Sequence, residues 1–452
     1  IMELNKYKNI YFIGIGGSGM SALANYFVLE NKMVGGYDKT ISVNTNNLES
    51  KGVKIIYDDC PIDLDKKYKN KYNTLVIYTP AIPSSLKILD YFISNDFVVI
   101  KRSEALGLIA NSSFCVAIAG THGKTTTTCI LGHLLKYCNK PATTFLGGIS
   151  ENYNSNLIAN GKDICVVEAD EFDKSFLTLK PNIACITSID EDHLDIYNNI
   201  DDLKDTFNSF INKIVPNGLL IVSEQLSLKG DKYGFNKDSK FNIQNIVLTN
   251  GSYSFDLCIG GILYPNFNFN CPGKHNLSNA LAALIIAFKL NCKIEDLKPA
   301  LLSFKGVQRR YSFHINSKDL VYIDDYAHHP EEISAIYDSL VESYPNENYL
   351  VAFQPHLYSR TRDFIDEFAS ILSKFHTVLI LDIYPARELP INGVNANWLL
   401  SKITSKVKKN VKLHDLDKEI YDCKMKINLT LGAGDIGSKA IKIKKQLLEY
   451  AI

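Results

Sequence analysis

The sequence lacks three features: a net charge, a long apolar run and a closely spaced pair of cysteines. Its 452 residues include 49 basic and 49 acidic side chains, so the formal net charge is zero. Proteins that act mainly on nucleic acids or anionic membranes rely on a basic field, so this balance argues against both kinds of partner. No apolar run approaches the roughly 20 residues that a membrane-spanning helix needs.

The ten cysteines are scattered along the chain, and none belongs to a C-x-x-C pair. This pattern favours a reducing compartment, and we expect the protein to be cytoplasmic. Near the N-terminus, Lys6 and Lys8 precede an apolar stretch, as they would in a secretory signal. Because a turn beginning at Gly14 interrupts that stretch, we expect no such signal.

Short apolar strands alternate with helical segments, and this alternation predicts an α/β fold built on parallel sheets with crossover helices. The length suggests about three domains, which we place at residues 1–110, 111–311 and 312–452. The predicted strands cover residues 8–13, 33–37, 74–78, 97–100, 114–119, 164–167, 183–187, 320–323, 350–353, 378–382 and 428–431. A polar, turn-rich stretch at 227–252 predicts a β-meander, and residues 276–289 predict a helix.

A glycine-rich loop, Gly14-x-Gly16-x-x-Gly19, joins the first predicted strand to the first helix. Glycines let the backbone approach a phosphate closely, and the start of a helix favours negative charge. Asp38 ends the next strand about 20 residues later, where an acidic side chain can bind a ribose. The pattern leaves three interpretations open: a dinucleotide site, a site for another nucleotide diphosphate, or a tight turn without a ligand.

A second loop, with the sequence GTHGKT at residues 120–125, follows a buried strand and opens a long helix. We call it the phosphate loop. It is shorter than the common P-loop, because Ile118 stands where the first glycine of that motif belongs. Its backbone N–H groups can still cradle phosphates. Lys124 can reach the β- and γ-phosphates, and the Thr125 hydroxyl can bind Mg²⁺.

Acidic residues follow two later strands of the same predicted domain. Glu168 opens an acidic run after the strand at 164–167, and residues 190–195, which include His193, follow the strand at 183–187. In a parallel sheet these strand ends share an edge with the phosphate loop. Carboxylate oxygens suit Mg²⁺, and a histidine nitrogen suits some divalent ions. We therefore expect a metal–ATP site here, the alternative being a solvated acidic loop.

Several motifs in the chain resemble those of the Mur ligases, the ATP-dependent amide ligases of peptidoglycan precursor synthesis. The family-wide motifs are G-T-x-G-K-[ST] at residues 120–125, H-N-x-x-N-x-x-A-A at 275–283 and D-H-L-D at 192–195. The motifs at residues 14–21, 324–330, 353–356 and 432–436 resemble the branch that acts on UDP-N-acetylmuramate and L-alanine. Two positions depart from that branch: Ala327 replaces a commoner glycine, and Leu357 replaces the arginine of Q-P-H-R-Y.

The resemblance implies three α/β domains with separate tasks. The N-terminal domain would be Rossmann-like and bind the UDP-sugar, and the central one would be a P-loop-type ATPase domain with a mostly parallel sheet. The C-terminal domain would be Rossmann-like and bind the amino acid. The implied reaction joins L-alanine to the lactyl carboxylate of UDP-N-acetylmuramate through an acyl phosphate. ATP would be the co-substrate, and Mg²⁺ or Mn²⁺ the cofactor.

The resemblance also assigns expected roles to individual residues. Catalysis would rest on Lys124, Glu168 and His193, and the metal would be held by Thr125, Glu168 and His193. ATP would contact Gly120, Thr121, His122, Gly123, Lys124, Thr125, His275, Asn276, Asn279 and Arg310, with Arg309 as an alternative to Arg310. The UDP-sugar would contact Gly14, Gly16, Gly17, Ser18, Gly19, Met20, Asp38 and Arg102. L-Alanine would contact Tyr326, His328, His356 and Arg360.

Three other functions compete with this interpretation. An NAD-dependent oxidoreductase would use the glycine-rich loop but leave the phosphate loop unexplained. A P-loop kinase or ATP-driven switch would leave the third domain unexplained. Within the family, a murein tripeptide ligase would share the UDP-sugar and the fold, and would differ in the acceptor.

Overall fold

The computed structural model describes residues 4–83, 85–190, 200–249, 251–386 and 388–450. Three mainly parallel sheets organise these residues, which confirms the predicted α/β fold. The chain divides into two compact units. The first unit comprises residues up to 246 together with 255–268 and 278–304, and the second comprises 247–254, 269–277 and 305 onwards.

The first sheet is parallel, with the strand order β3-β2-β1-β4-β5. Its central strand is buried along its whole length, as expected for a continuous apolar run covered on both faces. The strands are β1 (Asn9–Ile13), β2 (Met33–Tyr37), β3 (Lys54–Ile56), β4 (Thr74–Tyr78) and β5 (Val98–Lys101). The helices are α1 (Ser18–Leu29), α2 (Val43–Ser50), α3 (Lys87–Ser94) and α4 (Arg102–Ala110).

The second sheet has the order β15-β14-β13-β12-β11-β10-β6-β9-β7-β8. Its strands are β6 (Phe114–Ala119), β7 (Ala142–Ser150), β8 (Ser155–Ala159), β9 (Ile164–Ala169), β10 (Ile183–Ile186), β11 (Leu219–Ser223), β12 (Asp231–Gly234), β13 (Phe241–Thr249), β14 (Ser252–Ile259) and β15 (Ile262–Phe269). The helices are α5 (Lys124–Tyr137), α6 (Ile200–Ile211), α7 (Lys274–Lys289) and α8 (Ile294–Leu302). Strand β6 pairs in parallel with both β9 and β10, so these strands end at one edge.

The third sheet has the order β16-β17-β21-β18-β19-β20, with β16 as an antiparallel edge strand. Its strands are β16 (Ser312–Asn316), β17 (Val321–Asp325), β18 (Tyr349–Phe353), β19 (Thr377–Ile380), β20 (Val407–Asn410) and β21 (Ile427–Leu431). Its helices are α9 (Pro330–Ser343), α10 (Tyr358–Asp363), α11 (Ile365–Leu372), α12 (Ala396–Lys402), α13 (Leu416–Asp422) and α14 (Ala440–Tyr450). Apolar clusters cover both faces of this sheet.

One apolar core spans the first two sheets and fixes the position of one against the other. Phe12 and Phe27 of the first sheet and its helix α1 belong to the same buried cluster as Phe145 and Val167 of the second sheet. Across this core, Tyr26 of α1 lies with its ring 5.5 Å from that of Phe145. The two glycine loops of the sequence therefore belong to one packed body.

No helix among the described residues has both the length and the apolar character needed to cross a lipid bilayer. All ten cysteines lie within the described ranges, and no disulfide bond joins any of them there.

Candidate active site

The phosphate loop connects β6 to α5 and is shaped by glycine. Gly123 precedes the helix with φ of +82°, a conformation that glycine adopts without steric cost. The space where a Cβ atom at Gly123 would lie is occupied by the side-chain amide of Asn279 on α7. The first residue of the helix, Lys124, folds back and donates a hydrogen bond from Nζ to the Gly120 carbonyl at 2.6 Å.

Lys124 also forms an ion pair with a buried carboxylate that the sequence analysis did not single out. Its Nζ lies 2.8 Å from both carboxylate oxygens of Glu171, whose side chain is fully buried. Burial disfavours the charged lysine, but the negative charges of Glu171 and Asp170 outweigh it, so the pKa of Lys124 is raised. The lysine is therefore held as a cation at the mouth of the phosphate loop.

Thr125 and Glu168 come together as predicted. The Thr125 hydroxyl donates to Glu168 Oε2 at 3.0 Å, and the backbone N–H of Gly147 donates to Oε1 at 2.5 Å. Burial raises the pKa of Glu168, and these two hydrogen bonds act in the opposite direction. A hydroxyl and a carboxylate beside a phosphate loop are the hard oxygen donors that Mg²⁺ prefers, so the residues present fit such an ion.

The segment after β10 packs against the phosphate loop. The Thr121 hydroxyl lies 2.8 Å from that of Ser188 and donates to Asp190 at 3.2 Å. The His122 backbone N–H donates to Ser188 at 2.9 Å, and its ring lies 3.9 Å from the Asp190 carboxylate. The shared edge predicted for these strands is confirmed. His193, the third predicted metal ligand, lies outside the described residues.

Helix α7 carries the three polar residues expected to contact the nucleotide. His275 is exposed, whereas Asn276 and Asn279 are buried. Asn276 donates to the Pro272 carbonyl at 2.7 Å, a bond that fixes the start of the helix. Asn279 is the residue that this helix brings against the phosphate loop, at Gly123.

The glycine-rich loop of residues 14–19 lies between β1 and α1 and is pinned from several sides. Asp38 accepts a hydrogen bond from the Gly16 N–H at 2.7 Å, so one of its oxygens stabilises the loop itself. The Arg102 guanidinium lies against Gly19, where an added Cβ would meet it at 2.8 Å. The Ser18 hydroxyl donates to the Gly147 carbonyl at 2.6 Å. The structure therefore gathers the predicted UDP-sugar residues at one loop.

A cavity of about 280 Å³ brings this glycine-rich loop together with the edge of the second sheet. Its lining includes Gly17, Ser18, Gly19, Met20 and Arg102 on one side and Phe145, Leu146, Gly147, Glu168 and Asp170 on the other. The guanidinium of Arg102 suits an anionic group, and Glu168 belongs to the phosphate site. One cavity therefore borders both the residues expected to hold the UDP-sugar and Glu168 of the expected metal site.

In the second unit, three of the four residues predicted to bind the amino acid, Tyr326, His328 and His356, form an aromatic cluster. The ring centres of Tyr326 and His328 lie 5.5 Å apart, as do those of His328 and His356. The His356 ring in turn stacks on Tyr384, with ring centres 5.7 Å apart. Arg360 is half-buried on α10, within the segment that follows His356.

Charged groups support this cluster. Glu332 accepts hydrogen bonds from the backbone N–H groups of His328 and His329 at 2.9 and 3.2 Å. Arg310, one of the predicted ATP contacts, lies 3.7 Å from Glu332 and stacks on Tyr326. The alternative residue, Arg309, is paired with Asp324 at 3.1 Å and also bonds backbone carbonyls. Arg309 therefore makes structural contacts within the second unit.

Asp325 is a buried carboxyl beneath the cluster. Burial raises its pKa to about 7, although the Arg310 charge and the N–H groups of Tyr311 and Ala327 favour the ionised form. Ala327, which replaces a commoner glycine, is itself buried and does not adopt a positive φ. The substitution from the family pattern is therefore sterically compatible with the loop.

Four residues of these sites were missed by sequence reasoning. They are Glu171, Gly147, Glu332 and Tyr384, each identified by contacts described above. Glu171 stood in a recognised acidic run, but nothing in that run distinguished it from its neighbours. The other three lie outside the quoted motifs, and only their three-dimensional contacts reveal them.

Fold and site together define a nucleotide-binding α/β protein whose phosphate loop faces carboxylates at the ends of parallel strands. The chain belongs to the Mur ligase family. Three family models match it: the catalytic domain of the Mur ligase family at residues 9–114, the middle domain at 118–287 and the glutamate ligase domain at 309–434.

Relatives agree along the full length of the chain. It is 51% identical over 448 residues to the UDP-N-acetylmuramate–L-alanine ligase of Flavobacterium psychrophilum, covering 99% of this chain and 100% of that protein. The identically named protein of Christiangramia forsetii is 49% identical over 450 residues, with coverage of 99% and 100%. The crystal structure of the UDP-N-acetylmuramate–alanine ligase of Thermotoga maritima matches with a TM-score of 0.81 and 26% identity, covering 98% and 99% of the two chains.

The ion pair of Lys124 yields a first prediction. Lys124→Ala should lower turnover by about 10²–10³, because one group that stabilises the transferring phosphoryl charge is lost. It should also destabilise the fold by about 3–5 kcal/mol, because the buried Glu171 loses its lysine. Adding Glu171→Gln should restore stability but not turnover. Urea unfolding and steady-state kinetics on both variants separate the two effects, and near-normal turnover in either would contradict the assignment of Lys124.

Glu168 yields a second prediction. Glu168→Gln removes a charge from the proposed metal site, so the Mg²⁺ concentration for half-maximal activity should rise, and added Mg²⁺ should partly restore the rate. The matched control is Asp231→Asn, the same chemical change in an exposed ion pair with Lys240. A Mg²⁺ titration of activity checks this. Equal Mg²⁺ dependence of the two variants would rule out Glu168 as a ligand.

Proposed function

We propose that this protein is an ATP-dependent ligase that joins L-alanine to the lactyl carboxylate of UDP-N-acetylmuramate and releases ADP and phosphate. The observation that carries this proposal is that one cavity is lined both by the glycine-rich loop and by Glu168, which lies beside the phosphate loop. A carboxylate carried by a nucleotide-sugar in that cavity reaches the group that receives ATP. The two curated relatives at 51% and 49% identity bear this activity in their names.

ATP is needed because a carboxylate is a poor electrophile. Direct attack by an amine would have to expel oxide. When the lactyl carboxylate oxygen attacks the γ-phosphorus, ADP departs and an acyl phosphate forms. The amino group of alanine then attacks the acyl carbon, loses its proton, and expels phosphate that carries the former carboxylate oxygen. The protein's task is positioning and charge stabilisation rather than covalent catalysis.

The phosphate loop supports the first step. Lys124 holds the γ-phosphate, and the N–H groups at the start of α5 cradle the neighbouring oxygens. Thr125, Glu168 and His193 would hold a Mg²⁺ or Mn²⁺ ion, which would supply positive charge beside the transferring phosphoryl group. Asn279, which already contacts the loop, lies on the helix that also carries the nucleotide contacts His275 and Asn276. Arg310 is a further contact to ATP.

The glycine-rich loop supports binding of the UDP-sugar. The N–H groups of residues 14–19 and the start of α1 receive the diphosphate, and Arg102 adds a cation beside Gly19. Asp38 combines stabilisation of the loop with contact to the ribose. Because Asp38 Oδ2 accepts from the Gly16 N–H and Oδ1 accepts from the Thr40 N–H, the contact to the ribose uses the remaining lone pairs of these oxygens.

The second unit supplies the site for alanine. Tyr326, His328, His356 and Arg360 provide a cation and aromatic walls for a small amino acid. The guanidinium of Arg360 suits bidentate binding of the carboxylate. ATP and nucleotide-activated sugars are held in the cytoplasm, and we place the reaction in that compartment.

The test of this function is phosphate release. UDP-N-acetylmuramate, ATP and Mg²⁺ should give rapid release with L-alanine and weaker release with glycine or L-serine, since one methyl or hydroxyl discriminates by about 1–3 kcal/mol. The murein tripeptide is included as acceptor, because the murein peptide ligase of Psychrobacter arcticus shares the fold, with a TM-score of 0.69 and 20% identity. Faster release with the tripeptide than with alanine would overturn the proposal.

Arg360 yields a third prediction. Arg360→Lys keeps the positive charge but loses the planar fork, so the apparent KM for alanine should rise at least tenfold while those for ATP and the UDP-sugar change little. Steady-state kinetics that vary each substrate in turn provide the measurement. Arg362→Lys is the matched control, since Arg362 is half exposed and bonds its neighbour Asp363. A rise in the alanine KM in the control alone would move the carboxylate contact to Arg362.

A further inference from the structure

The backbone of Gly147 lies between the two nucleotide-binding loops and contacts both, through the two peptide groups that meet at its Cα. Gly147 on β7 donates its N–H to Glu168 at 2.5 Å and accepts, at its carbonyl, the hydroxyl of Ser18 at 2.6 Å. The second oxygen of Glu168 receives the Thr125 hydroxyl at 3.0 Å. These hydrogen bonds, joined through the backbone of Gly147, therefore link the first residue of α1 to the second residue of α5.

The position of Gly147 in this set depends on its lack of a side chain. A Cβ atom there would lie 2.7 Å from Glu168 Oε2 and 3.1 Å from Oε1, closer than van der Waals contact allows. Its φ is not in the left-handed region, so close approach rather than backbone conformation favours glycine here. An alanine would push the Glu168 carboxylate away from its present orientation.

A second contact joins the start of α1 to β8, the strand that pairs with β7 in a β-hairpin. Asn156 on β8 is buried, and its amide donates to the Ser18 carbonyl and to the Ser21 hydroxyl, both at 2.8 Å. Strands β7 and β8 pair in antiparallel register, so both sets of contacts come from one hairpin. The orientation of Ser18 toward Gly147 is thus fixed by the fold.

The hydroxyl of Ser18 has one proton, and that proton is donated to Gly147. It is therefore not available for a diphosphate oxygen, although the Ser18 backbone N–H remains able to bind one. This changes the role expected of Ser18 from the sequence. Its side chain acts between the two loops rather than toward the ligand.

We propose that the backbone of Gly147 is a positioning element that couples occupancy of the glycine-rich loop to the orientation of Glu168, with Ser18 as its contact on α1. The proposal rests on the proposed function in taking the UDP-sugar as the ligand of that loop. The N–H and the carbonyl of Gly147 belong to two planar peptide groups that share its Cα, so a shift of the carbonyl with Ser18 also turns the N–H that orients Glu168. Such coupling is reciprocal: the nucleotide also strengthens binding of the UDP-sugar.

The coupling is measured by equilibrium binding without turnover. Calorimetry with the non-hydrolysable analogue AMP-PNP and Mg²⁺ is performed with and without saturating UDP-N-acetylmuramate. The wild-type protein should bind the analogue about fivefold or more tightly when the sugar is present. In Ser18→Ala this ratio should fall toward one, and in Ser18→Thr, which keeps the hydroxyl, it should be largely retained.

Ser21→Ala is the matched control. Ser21 lies one turn further along α1, and its hydroxyl bonds Asn156 and the Ser18 carbonyl rather than Gly147. This variant leaves the Ser18 hydroxyl in place, so it should lose some stability and keep the coupling ratio. A wild-type ratio of one, or an undiminished ratio in Ser18→Ala, would overturn the proposal. Loss of the ratio in Ser21→Ala to the same extent would also overturn it, because general packing of α1 would then explain the effect.

The hydrogen bond from Gly147 to Glu168 is tested in the absence of the UDP-sugar. Gly147→Ala should raise the Mg²⁺ concentration needed for half-maximal binding of AMP-PNP several-fold, with the melting temperature as a control for folding. An unchanged Mg²⁺ requirement contradicts the role of Gly147. Phosphate release by the wild-type protein with UDP-N-acetylmuramate and alanine tests the proposed function separately, so failure of one is distinguishable from failure of the other.

Discussion

The parallel pairing of β6 with β9 on one side and β10 on the other is the constraint on which the candidate site depends. Ala119, the last residue of β6, pairs with Ala169 of β9 and with Ile186 of β10. Three chain segments therefore leave the sheet at the same edge. The phosphate loop, the acidic run after β9 and the segment containing Asp190 meet because of strand register, before any side-chain contact forms.

Charge explains why this edge suits a metal-bound nucleotide better than a free one. Lys124 is surrounded by Glu168, Asp170 and Glu171, whose negative charges raise its pKa. These carboxylates outnumber the lysine, and the triphosphate adds further negative charge. A divalent cation held by Glu168, as proposed above, would offset that excess, whereas Glu171 is already paired with Lys124. Glu168 and Glu171 lie only three positions apart, but Glu171 pairs with Lys124 whereas Glu168 is the proposed metal ligand.

The sequence predicts those parts of the structure that local pattern determines. The strands expected at 33–37, 74–78 and 114–119 coincide with β2, β4 and β6, since buried parallel strands are continuous apolar runs bounded by turns. The approach of Thr125 to Glu168 follows from parallel topology alone. The contact between Ser18 and Gly147 does not, because 129 residues separate them and their meeting depends on how the first two sheets share a core.

Leu357 shows why a departure from a family motif need not remove the function of the segment around it. Its backbone has φ of +72°, a conformation that costs a leucine roughly 1–3 kcal/mol. The surrounding bonds hold it there: its N–H donates to the Tyr384 carbonyl, and its carbonyl accepts from the N–H and the hydroxyl of Thr361. The position therefore acts through its backbone, which ends one segment and starts α10. Because these backbone bonds fix the start of α10, Arg360 on its first turn keeps its place when leucine stands at 357, and the proposed carboxylate contact by Arg360 requires no change of fold.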